Sequence, residues 1–383
     1  MFKKQIKVYA ASLLFLIPLQ ANALPEFITK APHAIAIDYN TKKPVLEKAA
    51  DEQMIPSSMT KLMTTYILFD KLKKGQISIQ DKFLVSEKAW RMGGSKMFVK
   101  VNDYVTVEEL IRGIIIQSGN DACIVVAEGI SGSEQIFADE MNATARVLGL
   151  TGSHFKNSTG WPEEGHYVTA RDLAILGMHI ISDFPEYYHY FKENMYVYNG
   201  IKQYNRNTLI GKNPEVDGLK TGHTEDGGYG MVVSGVQQTM GGGERRVVVV
   251  VNGLANEKER EAEADRVYTH AQRDFRHVLF YKKGEQVETA NVWLGEETTV
   301  PLVANENILM TLSRVNSDLL QVSVEHEGPV TAPIIAGQQI GNLHIAKPEE
   351  VDIRIPLYAG KDVGKMSLYN RIITAFKYYT VGN

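Results

Sequence analysis

The sequence has almost no cysteine. Cys123 is the only one among 383 residues, so the chain cannot form an intramolecular disulfide and has no cysteine cluster of the kind that binds zinc. A metal ion would have to be held by scattered histidines and carboxylates, and we predict neither a metal nor a cofactor. Within the apolar helical pattern of residues 122–127, Cys123 is expected to be a small buried hydrophobic residue.

An excess of positive charge is also lacking. The chain has 41 basic and 45 acidic residues and a formal net charge of −4. Proteins that bind nucleic acids usually carry clustered positive charge, so we expect no nucleic-acid partner. The composition, 44% hydrophobic and 22% charged, is that of a globular protein and excludes a disordered, collagen-like or coiled-coil chain.

No hydrophobic run is long enough to cross a membrane as a helix. The longest, residues 8–19, is shorter than the roughly 20 residues required. It follows three lysines and precedes Ala21-Asn22-Ala23, which places small residues at the cleavage positions of a secretory signal peptide. We predict a signal peptide over residues 1–23 and a mature protein in the periplasm. An uncleaved anchor is the alternative, and the absence of a following cysteine excludes an N-terminal lipid anchor at this site.

The pattern of apolar residues changes near residue 281. Before it, strand patterns at residues 34–38, 228–236 and 246–251 frame a helical block, and a glycine turn at residues 241–243 joins the last two. This predicts an α+β domain over residues 24–281, with an antiparallel sheet beside the helical block. Alternating β-rich patterns without a clear helix predict a smaller all-β domain over residues 282–360.

A candidate nucleophile lies at the start of a predicted helix. Ser58 follows a Pro-Ser turn, and Lys61 is one helical turn away on the same face, so the lysine amine can reach the serine hydroxyl. The free N–H groups of the first turn can face a developing negative charge. The pattern alone is weak, because Ser153 and Lys156 repeat it and Ser58 could simply cap its helix.

Two further motifs strengthen the hypothesis of an enzyme. Ser118-Gly119-Asn120 places a polar triplet between two apolar segments, where buried polar groups need partners. Lys220-Thr221-Gly222 precedes a predicted strand, and its glycine would allow close approach of a substrate backbone. The three motifs, in this order, are a far stronger signal than any one of them.

The motif set resembles that of the penicillin-binding and serine β-lactamase superfamily. Residues 56–63, 118–122, 169–172, 205–207 and 220–224 are most similar to the low-molecular-mass D-alanyl-D-alanine carboxypeptidases, as is the order of the domains. The resemblance implies a β-lactamase/transpeptidase-like domain followed by an all-β domain. Residues 228–231 and the glycine turn depart from the best-known members, which leaves substrate detail open.

The resemblance also implies a reaction. Ser58 would attack the terminal D-Ala-D-Ala amide of a peptidoglycan stem peptide, form an acyl-enzyme and release D-alanine, and β-lactam antibiotics would acylate the same serine. Lys61 would act as the base only if neutral, which requires burial and the charge of Lys220 to lower its pKa by roughly 2 to 3 from about 10.4. Ser118 would relay a proton to the leaving amine.

Substrate binding is assigned by the same resemblance. Asn120 would hold the substrate amide, and the backbone N–H groups of Ser58 and His223 would form the oxyanion hole. The free carboxylate of the substrate suits a cation. For Arg260 there is an alternative to substrate binding, which is a simple ion pair with a glutamate of its own highly charged helix. The expected contacts to the carboxylate and to the neighbouring backbone come from Lys220, Thr221, Gly222, Arg206 and Arg260.

Three other functions stay open at this point. A β-lactamase would need a deacylating glutamate, for which Glu163 and Glu164 lie in the relevant interval. A transpeptidase or endopeptidase would share the whole site and differ in the acceptor or in the bond cleaved. A non-catalytic receptor for β-lactams or peptidoglycan would keep the fold without turnover.

The C-terminal segment, residues 365–383, is amphipathic. It is too short to span a bilayer but long enough to lie in the membrane interface with its two cations toward anionic head groups. The segment therefore predicts peripheral attachment to the inner membrane surface, with docking on the β-rich domain as the alternative. Its apolar face would consist of Leu368, Tyr369, Ile372, Ile373, Ala375, Phe376 and Tyr379, opposite Arg371 and Lys377.

Overall fold

The computed structural model describes residues 27–239, 243–315, 319–370 and 372–373. The predicted signal peptide, part of the glycine turn and most of the C-terminal segment lie outside these residues. The described chain forms a domain of helices around a sheet, followed by a domain of strands. The predicted α+β fold with a second all-β domain is confirmed.

The first domain contains seven helices and nine strands within the described residues. Two short 3₁₀ turns, Ser57–Thr60 and Tyr188–Lys192, accompany them. The helices are α1 (Lys61–Lys73), α2 (Glu87–Arg91), α3 (Val107–Ile115), α4 (Asn120–Ser131), α5 (Glu134–Val147), α6 (Ala170–Asp183) and α7 (Glu257–Arg273), and the strands are β1 (His33–Asp38), β2 (Pro44–Lys48), β3 (Lys82–Leu84), β4 (Tyr104–Thr106), β5 (Met195–Tyr198), β6 (Ile201–Tyr204), β7 (Val216–Thr224), β8 (Gly228–Gln238) and β9 (Glu244–Leu254).

The main sheet is antiparallel and has the order β2-β1-β9-β8-β7. The predicted strands at residues 34–38, 228–236 and 246–251 are confirmed, and the last two pair as expected. Five consecutive valines in β9 are buried on both faces of the sheet. Val248 and Val250 face the core that contains α1 and α4, and Val249 faces the core beneath α7. Unbroken β-branched residues suit a central strand that is covered on both sides.

The helical block places the three motifs together. α1 is buried along most of its length, so the turn before it is fixed by the surrounding core. α3 begins with a capping box between Thr106 and Glu109, and the loop after it leads into α4. β7 is the edge strand of the sheet. The Lys220-Thr221-Gly222 motif lies in β7, so one of its edges pairs with no strand. The motif lies next to the N-terminal ends of α1 and α4.

The strand just before the predicted boundary at residue 282 pairs with a strand beyond that boundary. Residues 275–281 form β10, which pairs with β13 (Ile308–Ser313) over six residue pairs. Sequence alternation does not reveal the partner of a strand, so the sequence places this strand in the first domain. The strands of the second domain are β10 (Phe275–Tyr281), β11 (Gln286–Trp293), β12 (Thr299–Ala304), β13 (Ile308–Ser313), β14 (Gln321–His326), β15 (Val330–Thr331), β16 (Gln339–Lys347) and β17 (Val351–Ala359). All except β10 and β13 form a six-stranded sheet of order β14-β16-β17-β12-β11-β15.

A buried ion pair lies where the domains meet. Arg245 donates from Nε to Oδ2 of Asp38 over 2.7 Å, and Nε2 of His277 in β10 lies 3.0 Å from the same carboxylate. Burial would raise the pKa of Asp38, but the hydrogen bond with His277 and the charge of Arg245 lower it to about 2. The carboxylate therefore ties β1 and β9 to the first strand of the second domain.

Candidate active site

Ser58 and Lys61 are in direct contact. Nζ of Lys61 lies 2.7 Å from Oγ of Ser58, 2.7 Å from Oδ1 of Asn120 and 2.7 Å from the carbonyl oxygen of Thr159. The last two atoms can only accept hydrogen bonds. A neutral amine has two N–H donors, which these acceptors occupy, so its lone pair faces the Ser58 hydroxyl. The contacts thus orient Lys61 to take a proton from Ser58.

The electrostatic surroundings favour the neutral amine. Lys61 is fully buried, and burial lowers the pKa of its amine to about 8. The positive charge of Arg206 also lowers this pKa, whereas Cys123 and Asp121 raise it. The sequence analysis named Lys220 as the neighbouring charge. Burial and the charges of Lys61 and Arg206 also hold the pKa of Lys220 well below its ordinary value.

Ser118 and Lys220 form the second pair of the site. Nζ of Lys220 donates to Oγ of Ser118 over 3.0 Å and to the carbonyl oxygen of Thr221 over 3.1 Å. Ser118 has a φ of 58°, a left-handed conformation that is uncommon for a residue with a side chain. This backbone conformation lies in the loop between α3 and α4. The structure therefore brings together the second and third motifs.

Asn120 uses both ends of its amide within the protein. Besides accepting from Lys61, it donates from Nδ2 to the carbonyl oxygen of Gly93 over 2.8 Å. The next residue, Asp121, accepts the backbone N–H groups of Met97 and Phe98 over 2.9 and 2.8 Å. These bonds fix the loop at residues 93–99 against α4. Asp121 was not singled out from the sequence.

β7 runs directly beside the nucleophile turn. A Cβ on Gly222 would lie 2.9 Å from the carbonyl oxygen of Pro56 and 3.2 Å from Cβ of Ser57, so only glycine fits here. The sequence analysis expected a substrate backbone to lie close to Gly222. On the side where a Cβ would point, the close neighbours are instead Pro56 and Ser57 of the chain itself. The ring of His223, the next residue, stacks on Tyr229 with centroids 3.8 Å apart, which holds the end of β7.

A cleft of 690 Å³ opens above Ser58. Arg206 lines it and is exposed, with no ion pair or hydrogen bond to another described residue. The cleft also has an indole wall, since the Trp161 side chain is 48% exposed. Its lining residues are Ser58, Gly94, Ser95, Asn120, Thr159, Gly160, Trp161, Pro162, Arg206, His223, Thr224, Glu225 and Asp226.

Arg260 occupies a different position. Its guanidinium pairs with Glu257 over 2.8 Å, as the alternative interpretation of this helix expected, and lies 5.7 Å from the ring of Tyr229. It is buried and is not among the residues that line the cleft. It contacts the end of β7 through Tyr229, which stacks on His223. Arg206 is therefore the arginine with direct access to a substrate in the cleft.

The competing candidates lie away from Ser58. Ser153 donates to Oδ2 of Asp172 over 2.7 Å, and this bond occupies its hydroxyl. Glu163 accepts from Asn157 over 3.1 Å. Neither Glu163 nor Glu164 lines the cleft that contains Ser58, which disfavours the deacylating glutamate of a β-lactamase. In the parts of the chain that the structure describes, no cluster of histidine, cysteine or carboxylate side chains could hold a metal ion.

Some contributors to the site carry no motif. Thr159 acts through its carbonyl oxygen, and the loop that presents it is held by Asn157, whose Oδ1 accepts from the backbone N–H of Gly160 over 2.9 Å. A main-chain acceptor has no residue preference that a sequence could reveal. Only the turn-forming composition of residues 157–160 could have indicated the loop.

Comparison with known proteins agrees with this geometry. A family model described as "D-alanyl-D-alanine carboxypeptidase" matches residues 20–255, and one described as "Penicillin-binding protein 5, C-terminal domain" matches residues 275–365. The chain belongs to the D-alanyl-D-alanine carboxypeptidase family. It is accordingly a D-Ala-D-Ala carboxypeptidase, as its sequence predicted.

Characterised relatives cover most of this carboxypeptidase. It is 34% identical to D-alanyl-D-alanine carboxypeptidase DacA of Escherichia coli over 90% of this chain and 86% of that protein. It is 35% identical to DacF of Bacillus subtilis over 89% of this chain and 87% of that protein. Penicillin-binding protein 5 of Haemophilus influenzae superimposes with a TM-score of 0.77 at 33% identity, over 90% of this chain and all of that structure. Both domains therefore share the fold of this family.

Proposed function

We propose that Ser58 is the nucleophile of this carboxypeptidase. The observation that carries the proposal is the direct contact of its hydroxyl with the buried Lys61 amine, whose other contacts are two acceptors. Ser58 Oγ attacks the carbonyl carbon of the terminal D-Ala-D-Ala amide and passes its proton to Lys61. Collapse of the tetrahedral intermediate breaks the C–N bond, and the amine leaves as D-alanine with a proton relayed through Ser118.

In this proposal different residues bind the oxyanion of the intermediate and the free carboxylate of the substrate. The backbone N–H groups of Ser58 and His223 stabilise the negative charge of the intermediate. Arg206 and Thr221 bind the free carboxylate. Lys220 supports Ser118 through its hydrogen bond. Water then hydrolyses the acyl-enzyme, with Lys61 again accepting a proton, and releases the shortened stem peptide.

Covalent labelling tests this assignment. Benzylpenicillin presents a strained amide and a carboxylate in place of D-Ala-D-Ala, so it is expected to add its mass to the peptide that contains Ser58. Ser58→Ala should abolish labelling. Ser153→Ala, which removes the hydroxyl of the second Ser-x-x-Lys pattern, should leave labelling intact. Label on Ser153 would overturn the assignment.

Turnover of a pentapeptide tests the reaction itself. Mass spectrometry of a stem pentapeptide after incubation should show the loss of one alanine residue, and the Ser58→Ala protein should give none. Products joined through a new amide bond would indicate transpeptidation. A stable acyl-enzyme without released peptide would indicate a receptor.

We infer further that the enzyme works in the periplasm, attached peripherally to the inner membrane. The signal-peptide pattern of residues 1–23 supports export. At the other end, the side chains of Leu368, Tyr369 and Ile372 are 71%, 74% and 62% exposed, and Arg371 follows the first two in sequence. No helix among the described residues is long and apolar enough to cross a membrane. Interfacial binding of this exposed segment would attach the enzyme to the membrane surface.

A further inference from the structure

A hydrogen bond joins the two chain segments that carry the proposed oxyanion-hole donors. Oγ of Ser57 lies 2.9 Å from Oγ1 of Thr224. Ser57 immediately precedes Ser58, and Thr224 immediately follows His223. We propose that the Ser57–Thr224 bond is a positioning clamp, which sets the spacing of the Ser58 and His223 N–H groups for the oxyanion. This inference rests on the proposed function of Ser58.

Ser57 is confined on both sides. Its φ is 48°, in the left-handed region, and it is 1% exposed. A Cβ on Gly160 would lie 1.8 Å from the carbonyl oxygen of Ser57, and one on Gly222 would lie 3.2 Å from its Cβ. The turn is therefore packed between the loop at residues 157–161 and β7. Among the described residues, Thr224 is the sole hydrogen-bond partner of the Ser57 hydroxyl, so this bond is the polar link across the packed contact.

Thr224 connects the clamp to the hairpin between β7 and β8. Its Oγ1 accepts the backbone N–H of Gly227 over 3.1 Å while also bonding to Ser57. A hydroxyl has one donor and two acceptor sites, so it can satisfy both partners at once. A shift of the hairpin would therefore move the turn before Ser58, and a shift of that turn would move the hairpin. His223 lies between these fixed points, with its ring held against Tyr229.

The clamp matters because an oxyanion hole acts through preorganised geometry. Loss of one donor typically lowers turnover by roughly 100-fold to 1000-fold. Ser57 and Thr224 do not themselves touch the oxyanion, so their removal should misplace the donors rather than delete them. We expect a loss of about 10-fold in acylation rate for a displacement of this kind. Binding that precedes the chemical step should be unchanged.

The experiment compares Ser57→Ala, Thr224→Val and the double variant in full-length mature protein. Rapid-mixing measurement of benzylpenicillin acylation separates the first-order acylation rate from the preceding dissociation constant. Each single variant should lower the rate about 10-fold, and Ser57→Ala, whose side chain lies outside the cleft lining, should leave the dissociation constant unchanged. The double variant should be no slower than the slower single variant, because both changes remove the same bond. Thr224→Ser keeps the hydroxyl and should restore the rate.

A second measurement reports on the oxyanion site directly. Acetamidomethylboronic acid forms a tetrahedral adduct with a serine hydroxyl and places an oxygen where the oxyanion forms. Its affinity should fall about 10-fold in Ser57→Ala, in parallel with the acylation rate. Ser153→Ala, which removes a half-buried hydroxyl bonded to Asp172, is the matched control and should leave both quantities unchanged.

The outcomes separate this inference from the proposed function. If Ser57→Ala is acylated at the wild-type rate, or if the two losses multiply in the double variant, the clamp is refuted and Ser58 is not. If the wild-type protein is not acylated at Ser58, the proposed function fails. Thermal unfolding of each variant identifies loss of folding. If Thr224→Val unfolds, the separate single variants Ser57→Ala and Thr224→Ser still decide the test.

Discussion

The fully buried amine of Lys61 lies 2.7 Å from the hydroxyl of Ser58, which lines the open cleft. A lysine this close to a nucleophile is useful as a base only when it is neutral. Burial lowers the pKa of Lys61 to about 8, so a large fraction of the amine is neutral under mildly alkaline conditions, which an ordinary lysine near 10.4 would not provide.

The first prediction is a pH dependence of acylation. Deprotonation of Lys61 activates Ser58, so the rate of benzylpenicillin acylation should rise with pH through about 8 and then level off. Stopped-flow acylation between neutral and alkaline pH measures the profile. A midpoint near 10.4, the ordinary lysine value, would mean that the buried amine is not the base.

The second prediction concerns removal of the base. Lys61→Ala should fold but acylate at least about 100-fold more slowly, because the Ser58 hydroxyl then lacks its proton acceptor. Mass-spectrometric labelling over time checks the rate, and circular dichroism checks the fold. Lys71→Ala on the same helix, where Lys71 pairs with Glu140, is the matched control. Normal acylation by Lys61→Ala would assign the base role to another group.

Much of this site follows from the sequence, because its central residues carry motifs with fixed spacing. Ser58 and Lys61 are one helical turn apart, and the contact of their side chains follows from that spacing. The hydrogen bond between Ser118 and Lys220 does not follow from sequence spacing, since it depends on how α4 packs beside β7. The sequence supplied that pairing only through resemblance to a family.

The parts that the sequence missed act through the main chain or through packing. Thr159 contributes a carbonyl oxygen to Lys61, and a carbonyl has no sequence signature. The close contact at Gly222 was expected from the substrate but is made by Pro56 and Ser57. The change of apolar pattern near residue 281 predicts the domain boundary there, whereas the pairing of β10 with β13 is a long-range contact that no local pattern reveals.

The third prediction separates carboxylate recognition from chemistry. Arg206→Ala should lower turnover of a free-carboxylate peptide about 10-fold more than turnover of the same peptide with an amidated terminus, because only the carboxylate forms a charge-assisted bond. Lys202→Ala, an exposed cation in β6, controls for loss of surface charge. Arg260→Ala should affect both peptides equally, since that guanidinium lies outside the cleft lining. Equal losses with Arg206→Ala would make Arg206 structural.

The fourth prediction concerns the ion pair between the domains. Asp38→Asn should destabilise the protein by about 3 kcal/mol, because it leaves the buried Arg245 without its counter-charge. Since the folded pKa of Asp38 is about 2, below its ordinary value of 3.8, this stabilisation is present above about pH 4 and is lost as the pH falls toward 2.

Thermal unfolding at neutral and acidic pH measures this effect. The difference between wild type and Asp38→Asn should be largest near neutral pH and should shrink as the pH approaches 2. Asp70→Asn breaks the surface pair with Lys74 and should cost at most about 1 kcal/mol. An Asp38→Asn protein as stable as that control would show that the buried pair contributes no net stability.

The last prediction is release from the membrane by a short truncation. Lys365 forms a β-bridge with Gly295, and the backbone N–H of Met366 donates to Leu294 over 3.0 Å. The chain is thus tied to the second domain up to Met366. Beyond it, Leu368 and Tyr369 are mostly exposed, so they contribute little to the core of that domain and remain free to enter a membrane interface.

Ending the chain after Met366 should therefore move the mature protein from the membrane fraction to the soluble fraction. Penicillin acylation of Ser58 and the thermal midpoint should stay unchanged, because the side chains of Leu368, Tyr369 and Ile372 are mostly exposed. Flotation with anionic vesicles checks binding directly, and Leu368→Asp with Ile372→Asp in the full chain should release it equally, since a charge on the apolar face opposes insertion. A truncated protein that aggregates or loses acylation would place the segment in the fold and refute the anchor.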